Sequence, residues 1–192
     1  TDDEQILEAA RNWEAEAVYT DPNHQSGTDR CAEAAGKVRG KFDIVVNVQG
    51  DEPFISKEPL EQLLQIFERV PKTKIATLVQ KIEDASDIWD QNTAKVVVGK
   101  PKSQIANFQS QISTALYFSR SPIPYLRSVD KKDWIDSHTF WKHVGLYAFR
   151  SHILNEIVKL PIGLLEKAES LEQLRWLENG HEIAVAETKY KM

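Results

Sequence analysis

Apolar positions along the chain alternate between helical spacing and short β-branched runs. Over residues 2–13, Ile6, Leu7, Ala10 and Trp13 recur near a 3.6-residue period, which predicts an amphipathic helix. A short strand is expected at residues 17–20. Ser26-Gly27-Thr28-Asp29 then opens a second helix: Ser26 is a good N-cap, Asp29 can complete a capping-box-like exchange, and Gly36 supplies a C-terminal stop. Residues 42–48 carry the run Ile44-Val45-Val46, as expected of a strand covered on both faces. A helix starting near Ser56 lines up Leu60, Leu63, Leu64 and Phe67, and a strand follows at 75–80. This strand–helix–strand order predicts an α/β domain with a mostly parallel central sheet flanked by helices.

The second half predicts strands at 95–98, 114–119 and 144–150, with a Pro-rich turn at Ser121-Pro122-Ile123-Pro124. Helices are expected at 151–159 and 165–179, the latter stopping at Gly180, and a strand at 182–188 closes the pattern. Residues 100–113 are polar and weakly patterned and read as a loop or extended hairpin. No repeat or linker divides the chain, so residues 1–192 are expected to form one domain.

Composition narrows the classes. Hydrophobic residues make up 41% and charged residues 28%, ordinary for a globular protein. No apolar run approaches the length needed to cross a bilayer, so no membrane partner is expected. The net charge is −5 with scattered basic residues, which argues against non-specific nucleic-acid binding. Cys31 is the only cysteine, which excludes an internal disulfide framework and points to a reducing, cytoplasmic setting.

Several segments are candidates for chemistry. In Val46-Asn47-Val48-Gln49-Gly50-Asp51-Glu52-Pro53, a strand runs straight into Gly50-Asp51. Ligands of open α/β sheets bind outside such strand ends, and a carboxylate there suits Mg²⁺. The alternative is that Asp51 and Glu52 cap a turn before Pro53. Ser26-Gly27-Thr28-Asp29-Arg30 places two hydroxyls and an arginine at a helix N-terminus, fit for a ribose and a base or for an ordinary cap. On the helix expected at 165–179, Ala168, Leu171, Leu174 and Leu177 face the core, whereas Glu169, Gln173 and Trp176 share another face. That face suits the hydroxyls of a polyol, or solvent. Arg120, His143 and Tyr147 lie near strands; an arginine can grip a carboxylate through its fork, and the histidine and tyrosine can equally be structural. Trp134, Phe140 and Trp141 suggest an apolar surface, a candidate subunit interface.

Taken in order, these motifs resemble the CMP-Kdo synthetase (3-deoxy-manno-octulosonate cytidylyltransferase) family. The resemblance rests on His24-Gln25-Ser26-Gly27-Thr28-Asp29-Arg30, Val46 to Pro53, Ala115-Leu116-Tyr117-Phe118-Ser119-Arg120-Ser121-Pro122-Ile123-Pro124, His143-Val144-Gly145-Leu146-Tyr147, and Glu169-Ser170-Leu171-Glu172-Gln173-Leu174-Arg175. It implies a Rossmann-like nucleotidyltransferase fold with a small β-rich dimerisation and sugar-binding part. It further implies a cytoplasmic homodimer that makes CMP-Kdo and pyrophosphate from CTP and Kdo for lipopolysaccharide synthesis. By the same resemblance, Asp51 is the catalytic and Mg²⁺-binding carboxylate. Ser26, Gly27, Thr28, Arg30 and Gln49 line the CTP pocket, and Arg120, His143, Tyr147, Glu169 and Gln173 hold the sugar acid.

The resemblance also implies a Gly-rich, cationic phosphate loop ahead of Thr1 and a second metal aspartate in a Gly-x-Asp-Thr-Pro-like segment beyond Met192. On that basis the chain is expected to be truncated at both ends and inactive alone. Activation of another acidic sugar, an amino-Kdo or a sialic acid, is the alternative within the enzyme class. A non-catalytic binding or dimerisation remnant is the alternative outside it.

Overall fold

The computed structural model describes residues 1–50, 55–101 and 111–190. Helix α1 spans Glu4–Asn12, capped by the Asp3 carboxylate, which accepts from the Gln5 and Ile6 amides. Helix α2 spans Gly27–Lys37 and strand β1 Ile44–Asn47. Helix α3 (Lys57–Arg69) leads to β2 (Ile75–Lys81), and the short α4 (Ala85–Trp89) to β3 (Lys95–Val98). Strand β4 (Ile112–Ser119), helix α5 (Trp134–Ser137) and β5 (Trp141–Arg150) follow. Helices α6 (Ser151–Ile157), α7 (Leu164–Glu169) and α8 (Gln173–Glu178) precede β6 (Ile183–Glu187).

These strands form one sheet in the order β1-β5-β2-β6-β4-β3, and β5 also pairs with β3. Among the described residues only β2 and β6 pair in parallel, so the sheet is mixed rather than mostly parallel. The strand–helix–strand alternation does make β1 and β2 run the same way. However, β5 returns from a long excursion and inserts antiparallel between them. A β-branched run reports burial on both faces; it carries no information about the direction of a neighbour that arrives from a distant part of the chain.

Alternation along the strands sorts the core into two layers. Ile75 and Val79 of β2 with Ile183 and Val185 of β6 face α2, α6 and α8, where Ala32, Ile153, Leu154, Leu174 and Trp176 are buried. Ala76 and Leu78 with Ala184 face α3, packing on Leu63, Ile66 and Phe67. Full burial of each large apolar side chain of α3 contributes about 1.5–3 kcal/mol. A third cluster joins Ile82, Ile88, Trp134 and Phe140; Trp134, Phe140 and Trp141 are thus buried in the core and do not form the apolar surface expected of them.

Three other expectations are corrected. Helix α2 continues past Gly36 to Lys37, because Val38 still donates to the Ala34 carbonyl. The helix expected at 165–179 is two helices, broken where Ser170 adopts φ 53°. Arg120 supplies the reason: its guanidinium takes the carbonyls of Glu169 (2.8 Å) and Ser170 (3.4 Å), which a continuous helix would use itself. As a consequence Ala168 is exposed, whereas Leu171 and Leu174 remain in the core. Residues 17–20 form no regular strand, although the Thr1 ammonium donates to Val18 O and Thr20 N to Thr1 O.

Candidate active site

The N-terminus of α2 is tied to α8 by one carboxylate. Ser26 Oγ and Thr28 Oγ1 each donate to a different oxygen of Glu172, both at 2.8 Å. The same hydroxyls accept on their other side: Ser26 Oγ from the Asp29 amide at 3.1 Å, and Thr28 Oγ1 from Asn47 Nδ2 at 3.4 Å. Thr28 is buried, so its hydroxyl belongs to this network. Behind Glu172, Arg175 donates to it at 3.2 Å, ion-pairs Glu166 at 3.0 Å and donates to the Leu160 carbonyl. Burial pushes the Glu172 carboxyl up; the two hydroxyls and Arg175 pull it the other way, and Asp29 adds to the rise.

Gly27 has a specific task. A Cβ built there would lie 3.1 Å from Gln49 Oε1, so the glycine lets the Gln49 side chain lie close against the start of α2. Arg30 turns away from this contact and binds Thr20 Oγ1 at 2.6 Å and Asp2 at 3.0 Å.

A second group comes from β5. The β2–β5 register shifts at Thr77/Leu78: Thr77 opposes Tyr147, but Leu78 opposes Val144, so Gly145 and Leu146 bulge out of the ladder. The bulge brings the His143 and Tyr147 rings to 5.0 Å. His143 packs edge-on against Phe118, and Tyr147 against Trp176. Burial depresses the His143 imidazole to about 3, so it is neutral near pH 7. Burial, followed by the Glu172 charge, raises the Tyr147 phenol well above its usual range. Tyr147 Oη and Gln173 Nε2 are both buried without a hydrogen-bond partner among the described residues. Such orphans are expected where a polar ligand completes the set.

The third group is Arg120 with Glu169. The Glu169 carboxylate accepts from Ser119 Oγ (2.6 Å) and the Arg120 amide (2.9 Å), and Arg120 also donates to the Gln91 carbonyl. Beside them Lys95 is fully buried, donates to the carbonyls of Asp90 and Thr93, and has its ammonium pulled down by desolvation.

The fold joins Ser26 and Thr28 through Glu172, sets Gly27 against Gln49 and brings the His143 and Tyr147 rings together, while Gln173 is buried next to Glu172 in the chain. Arg120 and Glu169 pair with each other, and Arg30 is held by the segment before α2. Asp51 lies outside the described residues. Among those described, no three His, Cys, Asp or Glu side chains converge as a metal cage. Asn47, Thr77, Lys95, Glu172 and Arg175 were not singled out from the sequence. The one available signal was Glu172 itself, a charge wedged between Leu171 and Leu174 in a turn that must be buried.

Comparison with known proteins gives the class of protein as a nucleotidyltransferase. A family model described as Cytidylyltransferase matches residues 1–183. The chain belongs to the cytidylyltransferase family. It is 50% identical over 188 residues to the 3-deoxy-manno-octulosonate cytidylyltransferase of Bacteroides thetaiotaomicron, covering 96% of this chain and 70% of that protein. The Cytophaga hutchinsonii enzyme of the same name is 48% identical, covering 98% of this chain and 70% of the relative. A solved structure of CMP:2-keto-3-deoxy-manno-octonic acid synthetase complexed with CTP superposes with a TM-score of 0.82 at 39% identity, covering 98% of this chain and 70% of that one. A 4-diphosphocytidyl-2C-methyl-D-erythritol synthase from Anaerococcus prevotii shares the fold, at 12% identity and a TM-score of 0.52. Among the described residues no helix is long and apolar enough to cross a membrane.

Proposed function

We propose that this chain carries the cytidylyl-transfer site for Kdo, joining CTP and the sugar acid to give CMP-Kdo and pyrophosphate. The observation that carries this reading is the Glu172 bridge. It fastens the Ser26–Thr28 segment to the helix that opens with Gln173, whose amide donor is buried without a partner, as is the Tyr147 hydroxyl. A polyol between them supplies the missing partners.

In the reaction the anomeric hydroxyl of Kdo attacks the α-phosphorus of CTP. The new P–O bond forms as the bond to the β-phosphate breaks, and pyrophosphate departs. In this reading Gly27 and Gln49 shape the cytidine pocket, Ser26 and Thr28 brace it through Glu172, and Arg30 stiffens its entrance. His143, Tyr147 and Gln173 orient the sugar, and Arg120 with Glu169 holds the turn between α7 and α8 in place. Holding two reactants in line accounts for much of the acceleration in such reactions.

Mg²⁺ belongs to the proposal. Asp51 follows β1 by four residues, and a single carboxylate with nucleotide phosphates is an adequate oxygen donor set for this ion. The ion supplies charge neutralisation on the phosphates. A cytoplasmic homodimer completes the reading.

The test is pyrophosphate release from CTP and Mg²⁺ by the 192-residue chain and by a version extended at both ends, with Kdo, an amino-Kdo and a sialic acid compared side by side. A clear preference for Kdo supports the proposal. Release that is equal with all three, or specific to another sugar acid, overturns the substrate assignment.

A further inference from the structure

The buried Thr77 hydroxyl sits at a junction of three groups. Its oxygen is 2.6 Å from the Leu146 carbonyl, 3.3 Å from the Val144 carbonyl and 2.9 Å from His143 Nε2. A hydroxyl has one hydrogen, and carbonyl oxygens only accept. If that hydrogen pointed to the imidazole, two carbonyl oxygens would face the lone pairs of the same oxygen. With the hydrogen on Leu146 O, the free lone pair of Thr77 can take an N–H from His143. The two short contacts are then both attractive, and only the longer one, to the Val144 carbonyl, lacks a hydrogen directed at it.

We infer that Thr77 is a positioning residue which fixes His143 as the Nε2–H tautomer, so that Nδ1 meets the sugar as a hydrogen-bond acceptor for a hydroxyl. The inference rests on the reading of His143 as a sugar-binding residue and adds the sense of its hydrogen bond. Among the described residues Nδ1 has no protein hydrogen bond. The imidazole is held neutral by burial, which is consistent with an acceptor and not with a cation for the sugar carboxylate. The bulge explains the placement. Thr77 closes the gap that Gly145 and Leu146 leave in the β2–β5 ladder, and the closure aims the ring.

The experiment is nitrogen-15 NMR of the histidine rings in the wild-type chain, in Thr77→Val and in Thr77→Ser, with and without Kdo. The wild type should show Nε2 protonated and Nδ1 bare. Thr77→Val should give a mixed tautomer and weaken Kdo binding about tenfold, the loss expected for one oriented hydrogen bond. Thr77→Ser, which restores the hydroxyl, should return both signals toward wild type. A wild-type ring protonated at Nδ1, or a tautomer unmoved in a folded Thr77→Val, overturns the inference. The expected tautomer with an Nδ1 signal that ignores saturating Kdo instead overturns the sugar reading, and the acceptor role with it.

Discussion

Acidification should weaken this protein through one histidine. In the folded chain burial holds the His143 imidazole near 3; in the unfolded chain it titrates near its ordinary value of about 6.5. A depressed histidine means that the unfolded state takes up the proton first. The stabilisation is therefore fully present above about pH 6.5 and is lost as the pH falls toward the folded value. Each pH unit inside that window removes about 1.4 kcal/mol. Between about pH 6.5 and 4.5 the loss amounts to about 2–3 kcal/mol, a large share of a typical domain's stability. Urea unfolding of wild type and His143→Gln over this range isolates the effect. The amide can still offer an N–H to Thr77 but does not titrate, and carboxylates common to both proteins cancel in the difference. The stability gap between the two should narrow or reverse as the pH drops. A gap that stays constant would refute the argument.

The remaining predictions concern the site. Glu172→Ala removes the acceptor of the buried Thr28 and half-buried Ser26 hydroxyls and should cost about 2–4 kcal/mol in urea unfolding, whereas Glu172→Gln should cost less. Arg175→Met leaves the half-buried Glu166 and Glu172 carboxylates without their cation, and should destabilise by about 3–5 kcal/mol, measured the same way. Gly27→Ala displaces only the flexible Gln49 side chain. It should leave the midpoint of thermal unfolding nearly unchanged while weakening CTP binding several-fold by calorimetry. Asp51→Asn should abolish Mg²⁺-dependent pyrophosphate release, and chelation of the metal should do the same to the unmodified protein until Mg²⁺ is restored.

The local signals in the chain were readable for plain reasons. Ser26 does cap α2, and the strand expected at 95–98 coincides with β3, because cap chemistry and β-branched runs act over a few residues. What depended on distant partners was not readable. No periodicity around residue 170 announces the break between α7 and α8, since its cause is Arg120, 50 residues earlier. The bulge at Gly145 and Leu146 exists only in relation to Thr77 on another strand. The same holds for the candidate site. The motif residues stand out as unusual chemistry on the chain, but Arg120 and Glu169 prove to be partners of each other, and Ser26 and Thr28 partners of Glu172.

Glu172 and Ser26 are separated by 146 residues, and this span has a consequence for biosynthesis. While the chain emerges from the ribosome, the start of α2 is exposed long before its anchor exists. Contacts of such long range form late, because the intervening chain must first be ordered. The Ser26–Thr28 segment is thus made well before its anchor and is among the last parts of the fold to be completed. A nascent chain halted before Glu172 should leave that segment open to protease, and release of the full chain should protect it.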